Sequence, residues 1–421
     1  MAGGNASARE RGLAAFGAKR FDDALDAARE WIAAAPDAPG PHQLAGQALA
    51  RLGRPAEAAA AFEAAEERGG GPACAFNAGS AWQATGDLTR ARHALHRAAA
   101  AHVELGANAL ALGRALIDLG ERGLAGRVLA ALARRDATAH AAMQSIVRLA
   151  ADDRGAAGGA PAVGPPGPMA PPSSWSFVVC SIDRAKFEAV SATFAMRFAG
   201  VAHEVIRIPD ARSLCEGYAR GLARSGGEAV VFCHDDIDLL APDVATRLAT
   251  HLTHHDIVGV AGATRVTGPA VFWAGHPWLH GWVSYRESGR AGYEVTAMSL
   301  AQPLVGDIAA LDGVFIACRR EAALATGFDA ATFDGFHFYD LDFSYRAHLA
   351  GRRLAVACDL GLVHMSKGSF GADWSRYAGR FRAKFPALAA PQGSPHFYAA
   401  RVPGPADVLA FQRRLAELAT A

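Results

Sequence analysis

The chain of 421 residues lacks a dominant charge: 42 Lys plus Arg stand against 41 Asp plus Glu, a formal net of +1. Composition therefore gives no case for nucleic acid or an anionic membrane surface, and a charged partner must be held by a local site. Nothing approaches the roughly 18 consecutive apolar residues of a membrane-spanning helix. The start, Met1 to Arg11, is polar and lacks the apolar stretch of a secretion signal, which points to the cytoplasm. No Cys-x-x-Cys pair exists among Cys74, Cys180, Cys215, Cys233, Cys318 and Cys358, and several of these stand in apolar runs. Buried thiols are expected, not disulfides or zinc. A Gly-rich phosphate loop with its lysine is also missing. Apolar residues are plentiful, at 51% against 20% charged, enough for sizeable cores in two or three domains.

Between Asp152 and Ser174 the periodic apolar pattern gives way to Gly, Pro, Ala and Ser, the composition of a linker whose flanking parts move within limits. Before it, Gly12, Gly46, Gly79 and Gly113 are spaced 34, 33 and 34 apart. Ala24, Ala58, Ala91 and Ala125 keep the same intervals, each twelve residues after its glycine. Small residues at two fixed places of such a period mean paired antiparallel helices that cross too closely for a larger side chain. These residues resemble the tetratricopeptide repeat, as do Phe21, the turn glycines Gly53, Gly86 and Gly120, and Pro36. Four units and a final capping helix, Ala137 to Ala151, make a repeat domain over 1–151 that offers a groove for a protein or peptide partner. Packing or dimerisation is the other reading of such an array.

After the linker, strands are expected over Ser176 to Ser181, His203 to Ile208 and Ala229 to Cys233, with helices over Lys186 to Phe198 and Ser213 to Ala223. This is an α/β pattern with a mostly parallel sheet, and ligands of such sheets sit at the carboxyl ends of the strands. The third strand runs into His234, Asp235, Asp236, Ile237 and Asp238, three carboxylates within four residues. Crowded carboxylates are stable around a cation, and oxygen donors suit Mg²⁺ or Mn²⁺; the plain alternative is one helix cap and two solvated acids.

A βαβαβ half ending in an Asp-x-Asp-type motif resembles glycosyltransferases of the GT-A fold, in particular the family-2-like bacterial members, over roughly Ser174 to Leu388. That resemblance implies a domain over 175–390, a UDP- or GDP-linked sugar donor and a divalent cation, Mn²⁺ or Mg²⁺, on the acidic motif. Here the motif reads HDDID, so either Asp236 pairs with Asp238, or His234 takes the first acidic place and Asp236 the second. Donor contacts are expected from Asp183 past the first strand, from Asp235 and Asp236, and from the Asp312–Gly313 turn. The segment Gly327-Phe328-Asp329 through Tyr339-Asp340-Leu341-Asp342 to Arg346 matches the family pattern of a Gly-Phe-Asp turn followed by Glu-Asp-x-Asp-x-x-x-Arg, with Tyr339 in place of Glu. Asp342 and Arg346, four apart on a helix, can pair, leaving Asp340 free. Asp340 is the candidate base that takes the proton of the acceptor hydroxyl, and Asp342 is counted with the donor contacts. His364, beyond a later strand, is expected as a third metal ligand with Asp236 and Asp238. Lys367 is a candidate phosphate contact or a solvated lysine, and the loop from Phe272 to Trp282 holds three tryptophans that can stack on sugar or base. His251, His254 and His255 are placed at a helix end.

The resulting expectation is an inverting, metal-dependent glycosyltransferase that recruits a protein through its repeats, with a helix in a C-terminal extension, 391–421. It has no nucleic-acid partner, and an oligomer is open. The rivals are a scaffold with a degenerate transferase domain and, further off, a nucleotidyltransferase.

Overall fold

The computed structural model describes residues 2–106, 108–135, 139–152, 160–268, 274, 276–287, 289–368, 371–388 and 396–420. It divides into two compact units, Met1–Asp136 and Ala137–Ala421. No helix among the described residues is long and apolar enough to cross a membrane.

The first unit is a run of paired helices: α1 (Ala2–Gly17), α2 (Phe21–Ala34), α3 (Pro39–Arg51), α4 (Pro55–Glu67), α5 (Pro72–Thr85), α6 (Leu88–Ala100), α7 (Asn108–Asp118) and α8 (Arg122–Arg135). Proline opens α3, α4 and α5, where its missing N–H costs no helical bond, and Asp87 caps α6 by accepting from the Arg90 N–H at 3.0 Å. The repeat has a direct packing cause. A Cβ on Gly46 would meet the Phe62 ring at 2.8 Å, on Gly79 it would meet Leu95 at 2.6 Å, and on Gly113 it would meet Leu129 at 2.5 Å. The matching alanines Ala24, Ala58, Ala91 and Ala125 are wholly buried. Each of these three units thus presses a large side chain into the notch left by its own glycine, while the Gly12 notch takes Leu44 of the next unit.

The second unit opens with α9 (His140–Asp152), followed by β1 (Ser174–Cys180), α10 (Arg184–Arg197), β2 (Ala202–Ile208), α11 (Leu214–Arg224), β3 (Ala229–Cys233) and β4 (Ile237–Leu239). Next come α12 (Val244–His254), β5 (Ile257–Gly259), β6 (Ala261–Ala263), β7 (Leu279–Tyr285), β8 (Tyr293–Ala297), β9 (Leu304–Val305), β10 (Ala310–Leu311) and β11 (Phe315–Arg319). The chain ends with α13 (Arg320–Thr326), α14 (Tyr339–Leu349), β12 (Leu354–Ala357), β13 (Leu362–His364), α15 (Ala372–Lys384), β14 (Tyr398–Val402) and α16 (Pro405–Thr420). One sheet has the order β2-β1-β3-β11-β5-β12-β9. It is parallel through β2-β1-β3 and β5-β12, as expected for this fold, while β11 is inserted antiparallel between β3 and β5. β3 is buried throughout, which explains its unbroken apolar run. A second sheet, β10-β6-β7-β13-β4, carries β8 and β14 beside β7.

Two boundaries differ from the expected ones. The helix expected to cap the repeats is α9, and it belongs to the second unit, where His140 Nδ1 lies 2.7 Å from the Tyr398 hydroxyl and Gln144 donates to the Ala399 carbonyl at 3.0 Å. The helix packs on β14 and α16 of that unit, and its Met143, Ile146 and Val147 are buried. The Pro/Gly/Ala segment is also part of the second unit. Of it, 153–159 lie outside the described residues, and the rest is fastened along α12. Arg247 donates to the Pro161 carbonyl at 2.6 Å, His254 meets the Pro165 carbonyl at 2.8 Å, and the Met169 N–H donates to Thr253 at 3.1 Å. Arg247 and His251 are themselves anchored on buried Asp359, at 3.0 and 2.9 Å.

Candidate active site

The first sheet brings the carboxyl ends of β1 and β3 together, and the turn after Cys233 leaves from there. In that turn the side chains part. His234 Nδ1 lies 3.3 Å from His364 Nε2, which is 3.2 Å from Asp236 Oδ1; donor atoms of all three lie within 4.8 Å of one another. β13 carries His364 to this point by pairing antiparallel with β4, so that His364 stands opposite Ile237. Burial opposes the charge of Asp236, but hydrogen bonds with His364 and Ser366 hold its carboxyl well below the usual range. Burial and the neighbouring His364 push the His234 imidazole down, toward its neutral form.

Asp238 is not brought to this cluster, contrary to its expected role as a ligand. It lies in β4, where side chains alternate, and its carboxylate accepts from the Leu239 N–H at 2.8 Å and from Thr193 of α10 at 3.3 Å. Asp235 accepts from the Ser181 hydroxyl at 2.6 Å, tying the turn to the end of β1. Asp183 caps α10 through the N–H groups of Ala185 and Lys186, at 2.8 and 3.1 Å.

The second acidic region is built around Gly313. Asp340 stands in the first turn of α14, introduced by buried Phe338 in a left-handed conformation with φ 66°. The Gly313 N–H donates to Asp340 Oδ2 at 2.8 Å, and the Tyr339 hydroxyl donates to the Gly313 carbonyl at 3.0 Å. Only glycine fits there, because a Cβ would meet the Tyr339 hydroxyl at 2.0 Å. The Asp312 carboxylate accepts from the Val314 N–H at 2.9 Å. Burial, reinforced by the charge of Asp312, pushes the Asp340 carboxyl up to about 7. Asp342, expected among the donor contacts, is instead fully buried and paired, with Arg346 Nε at 2.8 Å and Lys384 Nζ at 2.6 Å. Arg346 also donates to the carbonyls of Thr326 and Gly327, and Lys384 pairs with Asp329 at 2.6 Å. The Gly-Phe-Asp turn and the Asp-x-x-x-Arg pair are thus one clamp that holds α13, α14 and α15.

A cavity of about 350 Å³ opens beside the His-Asp-His cluster. His234, His364 and Asp312 are among its polar lining, and Val283, Tyr285, Met298 and Phe397 among its apolar lining. Tyr285, Met298 and Phe397 were not singled out in the sequence, since they come from β7, the residue after β8 and the segment before β14, whose convergence no local pattern announces. Lys367 stands at this cavity already paired with Glu287 and Glu294, at 2.9 and 2.8 Å. Of the aromatic loop, Phe272, Trp273 and Gly275 lie outside the described residues. Trp282 is a core residue whose indole N–H donates to Ser299, and Trp278 is partly exposed beneath Arg265.

Residues 176–376 match a family model described as "Glycosyltransferase like family". Among solved structures, a crystal structure of MamA protein is 20% identical, covers 35% of this chain and 82% of its own, and superposes with a TM-score of 0.32. The TPR2B domain of yeast Sti1, in its pHsp70 complex, is 23% identical over 28% of this chain and 96% of its own, with a TM-score of 0.26. PilW, a type IV pilus biogenesis factor, is 22% identical over 36% and 72%, with a TM-score of 0.30. A comparison with curated proteins finds no match. By that match residues 176–376 are a glycosyltransferase-like domain, preceded by paired helices whose notched glycines and buried alanines recur at the tetratricopeptide period.

Proposed function

We propose that the second unit moves a sugar from a UDP- or GDP-linked donor to an acceptor hydroxyl with inversion at the anomeric carbon. The supporting observation is that two members of a metal-type donor set line a cavity together with Asp312, whose charge acts on the buried carboxyl of Asp340 behind it. In this reading Asp340 takes the proton of the attacking hydroxyl, and the Gly313 N–H keeps its carboxylate aimed.

His234, Asp236 and His364 would hold a divalent cation. Two imidazole nitrogens and one carboxylate oxygen suit Mn²⁺ better than Mg²⁺, which prefers oxygen and retains water. Such an ion, when bound, stabilises charge on a leaving diphosphate. Asp235 and Asp312 shape the donor side. The repeats supply a surface for a protein acceptor or partner, and the six free thiols, five of them buried, support a reducing compartment such as the cytoplasm.

The test is to incubate the chain with UDP- and GDP-sugars, with and without Mn²⁺, and to follow nucleotide release and the product anomer by NMR. Metal-dependent release with inverted product is expected. Equal turnover in the presence of a chelator, or retained configuration, would overturn the corresponding part.

A further inference from the structure

Two residues at which the chain can be read as departing from the resembling pattern touch each other: His234, which in one of the two alignments of HDDID takes the first acidic place, and Tyr339, which replaces a glutamate. The Tyr339 hydroxyl lies 3.2 Å from His234 Nε2 and donates to the Gly313 carbonyl at 3.0 Å. A phenol has one proton, and a carbonyl oxygen can only accept. With that proton committed to Gly313, the Tyr339 oxygen presents lone pairs to His234, and the imidazole must bring the proton of that contact on Nε2. A neutral imidazole carries a single N–H, so its Nδ1 is then bare. Nδ1 is the nitrogen that faces His364, within the His-Asp-His cluster.

We propose that Tyr339 is a positioning residue that fixes the Nε2–H tautomer of His234 and so presents Nδ1 to a divalent cation. An aspartate in this place has no tautomer to set; a histidine does, and an outer hydrogen bond is the usual means of setting it. The Tyr339 ring is held in place: it is buried, leans on Tyr218 at a centroid distance of 5.4 Å, and its hydroxyl lies over Gly313, where a Cβ would displace it. Gly313 therefore serves two elements, steadying the metal-side histidine through its carbonyl and Asp340 through its N–H.

The inference rests on the cation reading of the cluster, and the experiment separates the two. In the metal-free full chain with ¹⁵N-labelled histidine, multiple-bond NMR reads the His234 tautomer, assigned by its loss in His234→Ala. The wild type is expected to show Nε2–H and Tyr339→Phe a mixture. Mn²⁺ titration, followed by the free-ion EPR signal, is expected to show binding weakened roughly 10–100-fold in Tyr339→Phe. His234→Ala and Asp236→Ala are expected to lose it. If those two bind like wild type, the cation reading itself fails. If they lose Mn²⁺ while Tyr339→Phe keeps wild-type affinity and tautomer, only the role of Tyr339 fails. An Nδ1–H signature in the wild type overturns it even should the Phe variant not fold. A merely structural tyrosine would lower the melting temperature and leave tautomer and affinity of the folded protein unchanged.

Discussion

Asp340 and Asp342 stand two residues apart on α14, and the helix turns them into opposite surroundings. Asp342 faces α15 and the end of α13, where Arg346 and Lys384 close on it. Asp340 faces the turn before β11, where it accepts from the Gly313 N–H and its charged neighbour is another carboxylate. Both are buried, so burial alone does not distinguish them. What differs is the sign of the charge beside each. A carboxylate between two cations is a fastener, whereas one beside an acid is held near the point of proton exchange.

The sharpest way to break this comparison is to neutralise each in turn. Asp340→Asn keeps an oxygen for the Gly313 N–H and removes the proton acceptor, so transfer should fall by about 10²–10⁴-fold. Thermal stability should not fall, since a disfavoured buried charge is removed. Turnover and melting of the same preparation check both; near-normal turnover would remove Asp340 from the chemistry. Asp342→Ala should do the reverse, costing about 3 kcal/mol of stability by leaving Arg346 and Lys384 without their shared partner, while the folded fraction keeps its turnover. Urea denaturation against activity per folded molecule reads that difference.

A smaller effect is expected from pH. The Asp340 carboxyl keeps its proton up to about pH 7, so transfer should rise with pH through that value and then level. Its contribution to stability has the opposite slope. A carboxyl raised in the folded state favours folding below its unfolded value of about 4, and that contribution is lost as pH climbs through the folded one. Asp312→Asn removes the charge that reinforces the shift and should move the acid limb of the rate profile to lower pH. A limb that stays in place would show that burial alone sets it.

How much of this was legible in the sequence follows the same physics. The repeat was readable because Gly46, Gly79 and Gly113 each accept a large side chain from a helix of their own unit, and such notches recur at the repeat's period. β1 and β3 were readable from their apolar runs. By contrast, α9 and β14 depend on contacts between segments over 200 residues apart, such as His140 with Tyr398. The segment along α12 is fastened by Arg247, His254 and Thr253 to backbone atoms, which leaves no periodic trace. In the site, the types of residue were visible but not their partners. The Asp342–Arg346 pair followed from helical spacing, whereas the contact of His234 with Tyr339 spans the sheet and the helix.

The acidic turn after β3 repeats the comparison on a smaller scale, and Asp238→Asn sharpens it with the least expected effect. Asp236 precedes β4 and turns toward His364, while Asp238 lies within β4 and turns toward Thr193. Asparagine at 238 retains the oxygen that accepts from Leu239 and Thr193, so stability should change by no more than about 0.5 kcal/mol. Mn²⁺ affinity and transfer should stay within roughly twofold of wild type, which is the tolerance of a site whose donors are untouched. The same assays on Asp236→Asn should show a large loss of both. Should Asp238→Asn instead weaken Mn²⁺ binding tenfold, the turn must rearrange around the cation so that Asp238 replaces His234, and the alternation along β4 would not hold in the loaded protein.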